Sequence, residues 1–165
     1  MSHSIFTEPV QQSKRLLKAI LYAGIITATL DILAAILFFI LDTGKNPVIV
    51  LDYIASGVFG KAALSGGAFM AVWGLLFHYI IAFSFTIFFF IIYPKIKLLQ
   101  QNKWITAILY GVFVWLVMNM IVLPLSNTPP STFNLLKAVR AVIILIACIG
   151  LPLTIIAGKY YSVKQ

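Results

Sequence analysis

Two ionisable residues, Asp31 and His78, lie inside long apolar runs of this sequence, where charged side chains are rare. Asp31 is near the middle of residues 19–41, and His78 is inside residues 69–93. A carboxylate at the centre of a membrane helix costs about 2.5–3.5 kcal/mol, so it is usually paired, buried between helices or functional. Histidine titrates near neutral pH, and a carboxylate beside it is suited to relaying protons or cations. These two residues are therefore the first candidates for chemistry.

Stripes of small residues place both side chains on helix faces that can approach a neighbouring helix closely. The spacing of three and four residues puts each stripe on one helical face. At 1.5 Å per residue, both ionisable residues lie roughly 14–15 Å from the outer ends of their helices. This equal depth predicts a hydrogen-bonded Asp31–His78 pair near the bilayer midplane. The stripes are Gly24, Ala28, Asp31 and Ala35 in the first run, and Gly67, Ala71, Gly74, His78 and Ala82 in the second.

Further polar groups are predicted at the same site. Asn119 lies in the third apolar run, and Pro152 in the fourth should kink its helix and leave the Cys148 carbonyl without a backbone donor. Together with Asp31 and His78, these groups predict one polar cavity that opens toward the outside. Outside the spans, Lys61 is a candidate for contact with an anionic group, with a snorkelling membrane anchor as the alternative.

The polar pair has a structural interpretation beside the functional one. An interhelical hydrogen bond in a membrane contributes about 0.6 kcal/mol on average, so Asp31 and His78 could simply fix helix packing. The sequence predicts no catalytic residue, no metal site and no cofactor. It has a single cysteine, Cys148, and it lacks a phosphate-binding glycine loop, a Ser-His-Asp pattern and a zinc motif. An enzyme is therefore the less favoured class.

Composition identifies the elements that must position these residues. The chain is 62% hydrophobic and 10% charged, whereas soluble domains average about 45–50% and 25%. Four apolar runs are long enough to cross a bilayer, at residues 19–41, 69–93, 104–124 and 138–157. Little sequence remains outside them, so residues 1–165 are predicted to form one all-α integral membrane domain.

Basic residues predict the orientation of this domain. Eight of the twelve lie in the N-terminal segment, in the connection between the second and third runs, and in the C-terminal tail. The positive-inside rule then places both termini in the cytoplasm. The net charge of +8 is explained by this orientation and by anionic lipid headgroups, and nucleic acid is not a predicted partner.

The two outer connections are long, and each is predicted to hold a short interfacial helix. Residues 43–68 contain Pro47, an apolar patch and a run rich in glycine, which indicate a turn, a short helix and a flexible entry into the second span. Residues 126–137 contain Pro129 and Pro130 followed by a helix start near Asn134. Both connections could cover the mouth of a bundle of four transmembrane helices.

Several of these motifs also resemble those of small bacterial inner-membrane proteins of uncharacterised role. The resemblance covers most of the chain from the first span to the third connection, and a fainter one to the YagU-type inner-membrane family appears in residues 94–97 and 128–130. Both resemblances imply a four-span membrane protein and imply no activity. The motifs are Asp31, Ile54-Ala55-Ser56-Gly57, Gly60, Ala63, Gly66-Gly67, Gly74, His78, Ile81-Ala82, Tyr110-Gly111, Met118-Asn119 and Val122-Leu123-Pro124-Leu125-Ser126.

The favoured hypothesis is a small transport or channel-like protein that uses Asp31 and His78 as a proton-sensitive site. Because a bundle of four helices is narrow, a homo-oligomer with a pathway between protomers is one arrangement of it. The alternative is a non-transporting accessory or envelope-stress membrane protein whose polar pair is structural, and a membrane enzyme comes third. The lipid bilayer is the one partner that all these hypotheses share.

Overall fold

The computed structural model of the chain describes residues 7–130 and 134–162, and these residues form helices with no strand among them. The all-α prediction is thereby confirmed. A 3₁₀ turn, Gly60–Ser65, continues α2. Two π-helical segments, Met118–Val122 and Ile146–Gly150, interrupt α5 and α6. The helices are α1 Thr7–Thr43, α2 Val48–Phe59, α3 Gly67–Ile92, α4 Lys97–Gln101, α5 Lys103–Leu125 and α6 Leu135–Ser162.

The first two long helices, α1 and α3, run antiparallel. The Thr29 and Tyr79 hydroxyls are 2.8 Å apart. Five residues earlier on α1, Gly24 lies against the ring of Phe83, which is four residues later on α3. Residue numbers therefore rise along one helix as they fall along the other. The C-terminal end of α1 and the N-terminal end of α3 consequently lie at the same end of the bundle.

The remaining long helices continue the alternation. Tyr110 of α5 packs against Phe89 of α3 with ring centroids 4.5 Å apart, and the ring of Phe113 lies 5.5 Å from that of Phe88. A Cβ on Gly111 would meet the Ile146 backbone, and one on Gly150 would meet the Ala107 carbonyl. The helices α1, α3, α5 and α6 therefore run in alternating directions, as the short basic connection 94–103 predicted for α3 and α5.

Within residues 7–130 and 134–162, five helical segments are long and apolar enough to cross a membrane, one more than the sequence predicted. The additional segment is Val48–Ser65, in the connection predicted to hold a short interfacial helix. A helix was predicted in this connection, and the structure shows that it is longer than predicted and packs on α3. No separate helix occurs in residues 126–130 or at Asn134, so the described part of the other outer connection lacks its predicted interfacial helix.

The additional segment, Val48–Ser65, packs tightly against α3, and its chain direction changes at Gly60. A Cβ on Gly74 would lie 1.9 Å from the Leu51 carbonyl oxygen, so only glycine allows this approach. Gly60 adopts a φ of +65°, which ends the α-helical part of the segment and favours glycine. The segment begins just after α1 ends and finishes just before α3 begins. Both of its ends therefore lie at the same end of the bundle.

The opposite end of the bundle is packed with large side chains. Phe89, Phe90, Tyr93 and Tyr110 form a buried cluster there with residues of α1 and α6. The Tyr110 hydroxyl donates to the Phe85 carbonyl, and the Tyr161 hydroxyl donates to the Phe90 carbonyl at 2.8 Å. The described basic residues of this end are Lys14, Arg15, Lys18, Lys95, Lys97, Lys103 and Lys159.

Candidate functional site

A cavity of about 670 Å³ occupies the half of the bundle away from the basic connections. Five helices line it, namely α1, α2, α3, α5 and α6. Its rim includes Thr43, Ser126 and Lys137, at the end where α1 and α5 finish and α6 begins. The volume falls within the range of about 300–1,000 Å³ that is typical of small-molecule sites.

Buried apolar residues close the inner end of this cavity. Ile32, Ala82, Val114 and Ile149 line it and are each at most 6% exposed. Val114 and Ile149 also belong to the aromatic cluster that fills the other half of the bundle. The cavity is therefore open at one end of the bundle and blind at the other.

Asp31 lies at the blind end, one residue before Ile32 on α1. It is only partly exposed, and its surroundings are the cavity and the neighbouring helices. Across residues 7–130 and 134–162, neither carboxylate oxygen has a hydrogen-bond or ion-pair partner, although His78 is close enough to interact with it electrostatically. A carboxylate in this position is available to a bound solute or a proton.

His78 lines the same cavity but does not form the predicted hydrogen bond with Asp31. Its Nε2 atom lies 2.9 Å from the Ala28 carbonyl oxygen of α1, at hydrogen-bond distance for the tautomer that is protonated at Nε2. That contact crosses between the two small-residue stripes, so the predicted close approach of these helices is present. The imidazole is held by backbone, and the carboxylate beside it is not.

Asn119, the third predicted residue, also lines the cavity, nearer its rim. Its Nδ2 donates to the Trp115 carbonyl of the same helix at 2.8 Å. The residue belongs to the π segment Met118–Val122, which ends two residues before Pro124. Since a proline lacks the N–H that an α-helix needs, the widened turn accommodates it without ending the helix.

The same arrangement recurs in α6, where Ile146–Gly150 ends two residues before Pro152. A π segment thus stands where a kink was predicted from the proline. Cys148, whose carbonyl was expected at the cavity, does not line it. Its side chain is half-buried and lies within electrostatic reach of Asp31.

An ion pair that the sequence did not predict stands at the rim. The two terminal guanidinium nitrogens of Arg140 on α6 donate to the two carboxylate oxygens of Asp42 on α1, in a bidentate arrangement. The Arg140 guanidinium also lies 5.1 Å from the centre of the Phe38 ring. These residues are 98 positions apart in the chain, so no local spacing could have indicated the pair.

The two outer connections meet beside the cavity, as predicted for segments that cover its mouth. The Asn127 backbone N–H donates to the Gly57 carbonyl at 2.9 Å, and the Asn127 side chain donates to Val58. Asn134 caps α6 by accepting from the Lys137 N–H, which confirms the helix start predicted there. Residues 131–133 of that prediction lie outside the described part of the chain.

Lys61 is placed away from this site. It is exposed in the 3₁₀ turn Gly60–Ser65 and does not line the cavity. The surroundings of Lys61 therefore favour the membrane anchor over the contact with an anionic ligand.

Metal binding finds no support among the described residues, where no three His, Cys, Asp or Glu side chains cluster. Comparisons of the chain with protein-family models, with curated proteins and with solved structures found no match. The function must therefore be argued from the cavity itself.

Proposed function

We propose that this chain is a four-span inner-membrane transport protein that binds a small solute in its blind cavity, with Asp31 and His78 as the proton-sensitive site. The observation that carries the proposal is the Asp31 carboxylate at the blind end, which has no hydrogen-bond partner in the described part of the chain. Burial of a charge without a partner is expensive, so a group kept in this state is usually functional.

In the proposed topology α1, α3, α5 and α6 cross the membrane, and α2 with its 3₁₀ turn stays in one half of it. The α-helical part of that segment has twelve residues and spans about 18 Å, short of the roughly 30 Å hydrocarbon core. Both of its ends lie at the cavity end of the bundle, which supports a segment that does not cross. Four crossings also agree with both termini lying in the cytoplasm.

The shape of the cavity favours a transporter over an open channel. A channel needs a continuous polar path, whereas the buried residues beneath Asp31 separate the cavity from the basic end. A transporter alternates between states that are open to either side, and it binds its solute near the midplane. A homo-oligomer stays a prediction, and the cavity within one chain removes the need for a pathway between protomers.

The structural alternative explains His78 better than Asp31. Its contact with the Ala28 carbonyl is the kind of interhelical bond that fixes packing. A carboxylate that served the same purpose would be expected to accept a hydrogen bond from a neighbouring helix. Asp31 accepts none from the described residues, and this difference between the two side chains favours the transport proposal.

Proton sensitivity would arise from the groups around Asp31. The titratable side chains that face it or share its cavity are His78 on α3, Tyr53 on α2, and Cys148 on α6. At the rim, Asp42, Lys137 and Arg140 add further charges. Of these, His78 and Cys148 lie within electrostatic reach of the Asp31 carboxylate.

The test is proton flux into liposomes that contain the purified protein and a trapped pH indicator. Wild type is compared with Asp31→Asn and with Asp52→Asn, a matched control that removes another intramembrane carboxylate. Asp52 is 4% exposed and one of its carboxylate oxygens also has no hydrogen-bond partner among the described residues, but it does not line the cavity, so the comparison tests the position of Asp31 in the cavity. We expect flux in wild type and in the control and none in Asp31→Asn, with all three proteins equally stable to heat. Absence of flux from wild type, or equal flux from all three, would contradict the proposal.

A further inference from the structure

The walls of the cavity carry aromatic rings from four helices. Phe38 of α1, Tyr53 of α2, Phe85 of α3 and Trp115 of α5 all line it. The face of an aromatic ring is the negative end of its quadrupole and attracts cations, most strongly when water is excluded. Rings on several walls around one cavity are the arrangement that recognises ammonium groups carrying organic substituents.

The acidic residues of the cavity lining also favour a cationic ligand. The lining contains two carboxylates, and Arg140 already neutralises Asp42 at the rim. Asp31 is left without a cationic side chain beside it in the described residues, apart from the imidazole of His78. A positively charged solute would supply the missing partner.

The basic side chains of the lining stand too far away to reverse this preference. Lys137 and Arg140 are at the rim, where Arg140 meets Asp42, and Asp42 is eleven residues from Asp31 along α1. That separation is roughly 16 Å along the helix. An anion would meet cations at the rim and an uncompensated carboxylate at the blind end.

The chemistry of the lining also separates organic from inorganic cations. Calcium and magnesium require about six oxygen ligands, and the described residues contain no cluster of three carboxylate, imidazole or thiol groups. The volume of about 670 Å³ suits a molecule much larger than a metal ion. An apolar, aromatic wall with a single unpaired carboxylate therefore favours a bulky monovalent cation.

We propose that the cavity binds organic cations, namely amines or quaternary ammonium compounds with apolar substituents, through Asp31 and the surrounding aromatic rings. This inference deepens the proposed function, because it names the class of solute, and it rests on the same cavity. The ammonium group lies against the Asp31 carboxylate and the rings of Phe85 and Trp115, and the apolar substituents occupy the rest of the cavity.

Binding is tested on the full chain in detergent by calorimetry with three probes of similar shape. The probes are benzyltrimethylammonium, its uncharged carbon isostere neopentylbenzene, and the anion phenylmethanesulfonate. We expect the cation to bind at least about tenfold more tightly than the isostere, and the anion to show no binding. Equal binding of cation and isostere, or preference for the anion, would overturn the inference without reference to any variant.

Two substitutions locate the probe. Asp31→Asn should weaken benzyltrimethylammonium binding at least about tenfold, whereas the control Asp52→Asn should leave it unchanged. Trp115→Leu should weaken the cation by about threefold to tenfold and should affect the uncharged isostere less. Thermal unfolding of each variant verifies that it is folded. Cation binding that is indifferent to both Asp31 and Trp115 would place the site elsewhere and overturn the inference.

The flux assay separates this inference from the proposed function. Cation binding that depends on Asp31, together with liposomes that show no flux, would support the ligand site and refute transport. Proton flux that depends on Asp31, without binding of benzyltrimethylammonium, would support transport and refute the organic-cation site.

Discussion

At the basic end of the bundle, phenylalanine and tyrosine rings fill the space between the helices, whereas at the other end four of the same helices, with α2, surround a cavity. The packed half joins its helices by bonds from Tyr110 and Tyr161 to carbonyls of α3. The cavity half also has interhelical contacts, from His78 to α1 and from Arg140 to Asp42, but it keeps Asp31 without a hydrogen-bond partner in the described residues. One half is therefore built for stability, and the other keeps polar groups available.

Glycine contacts mark the boundary between these halves. Gly111 and Gly150 bring the backbones of α5 and α6 together at the level of the cavity floor. Beyond them, toward the rim, the helices are lined by larger side chains such as Trp115 and Leu145 around open space. Close backbone contact between two helices at one depth of the bundle is therefore compatible with a cavity between the same helices nearer the rim.

Replacing a glycine at this boundary should have the largest effect on stability. In Gly150→Ala the new Cβ would lie 2.2 Å from the Ala107 carbonyl oxygen, so α5 and α6 must move apart. We expect a loss of about 2–3 kcal/mol of unfolding free energy, measured by denaturant titration in mixed micelles.

Gly57→Ala is the matched control in the cavity half. Gly57 lies in α2, and the nearest atom to its added Cβ is the Thr128 hydroxyl at 3.5 Å, an ordinary contact. This variant should unfold like wild type. An equal loss in both variants would mean that the close backbone contact at Gly150 does not cause the loss.

Removal of one tyrosine hydroxyl should have a smaller effect. Tyr110→Phe removes the hydrogen bond to the Phe85 carbonyl in the packed half, and we expect a loss of about 1 kcal/mol. Tyr22→Phe provides the comparison, because Tyr22 is 62% exposed on the outer surface of α1. If both substitutions lowered the unfolding free energy alike, the Tyr110 bond would have no special role.

The smallest effect is expected from the ion pair at the rim. Arg140→Gln breaks the bidentate contact with Asp42, but both side chains are about one-third exposed and are screened by solvent. The thermal midpoint should therefore change little, whereas the same variant should bind charged probes with an altered dependence on salt. A large fall in the thermal midpoint would place this contact among the structural ones.

The sequence predicted the elements of this fold better than their contacts. The four apolar runs and the small-residue stripes were visible because helix length and spacing are local properties. Asp31, His78 and Asn119 do line one cavity, and the matching depths of Asp31 and His78 were the signal that indicated it. The predicted Asp31–His78 hydrogen bond is absent. Spacing could not exclude it, because the rotation of two helices decides whether His78 reaches a carboxylate or the Ala28 carbonyl.

The packing of α2 was hidden for a similar reason. A short helix was predicted there, but its close contact with α3 through Leu51 and Gly74 was not. The Asp42–Arg140 pair joins distant parts of the chain, and the π segments depend on how two prolines are accommodated within continuous helices. Each of these features is set by tertiary packing and leaves no periodic signal.

Thiol labelling tests most directly whether the cavity is open at one end only. The assay uses sealed vesicles of defined orientation, a membrane-impermeant reagent and a Cys148→Ala background. Ala35→Cys places a thiol in the cavity lining one turn from Asp31, and Ala157→Cys places one in the packed half, where Ala157 is 0% exposed. We predict that Ala35→Cys reacts from the side that bears Ser126 and Lys137 and from no other, and that Ala157→Cys reacts from neither side. Reaction of Ala35→Cys from both sides, or from neither, would contradict a solute cavity that is open at one end.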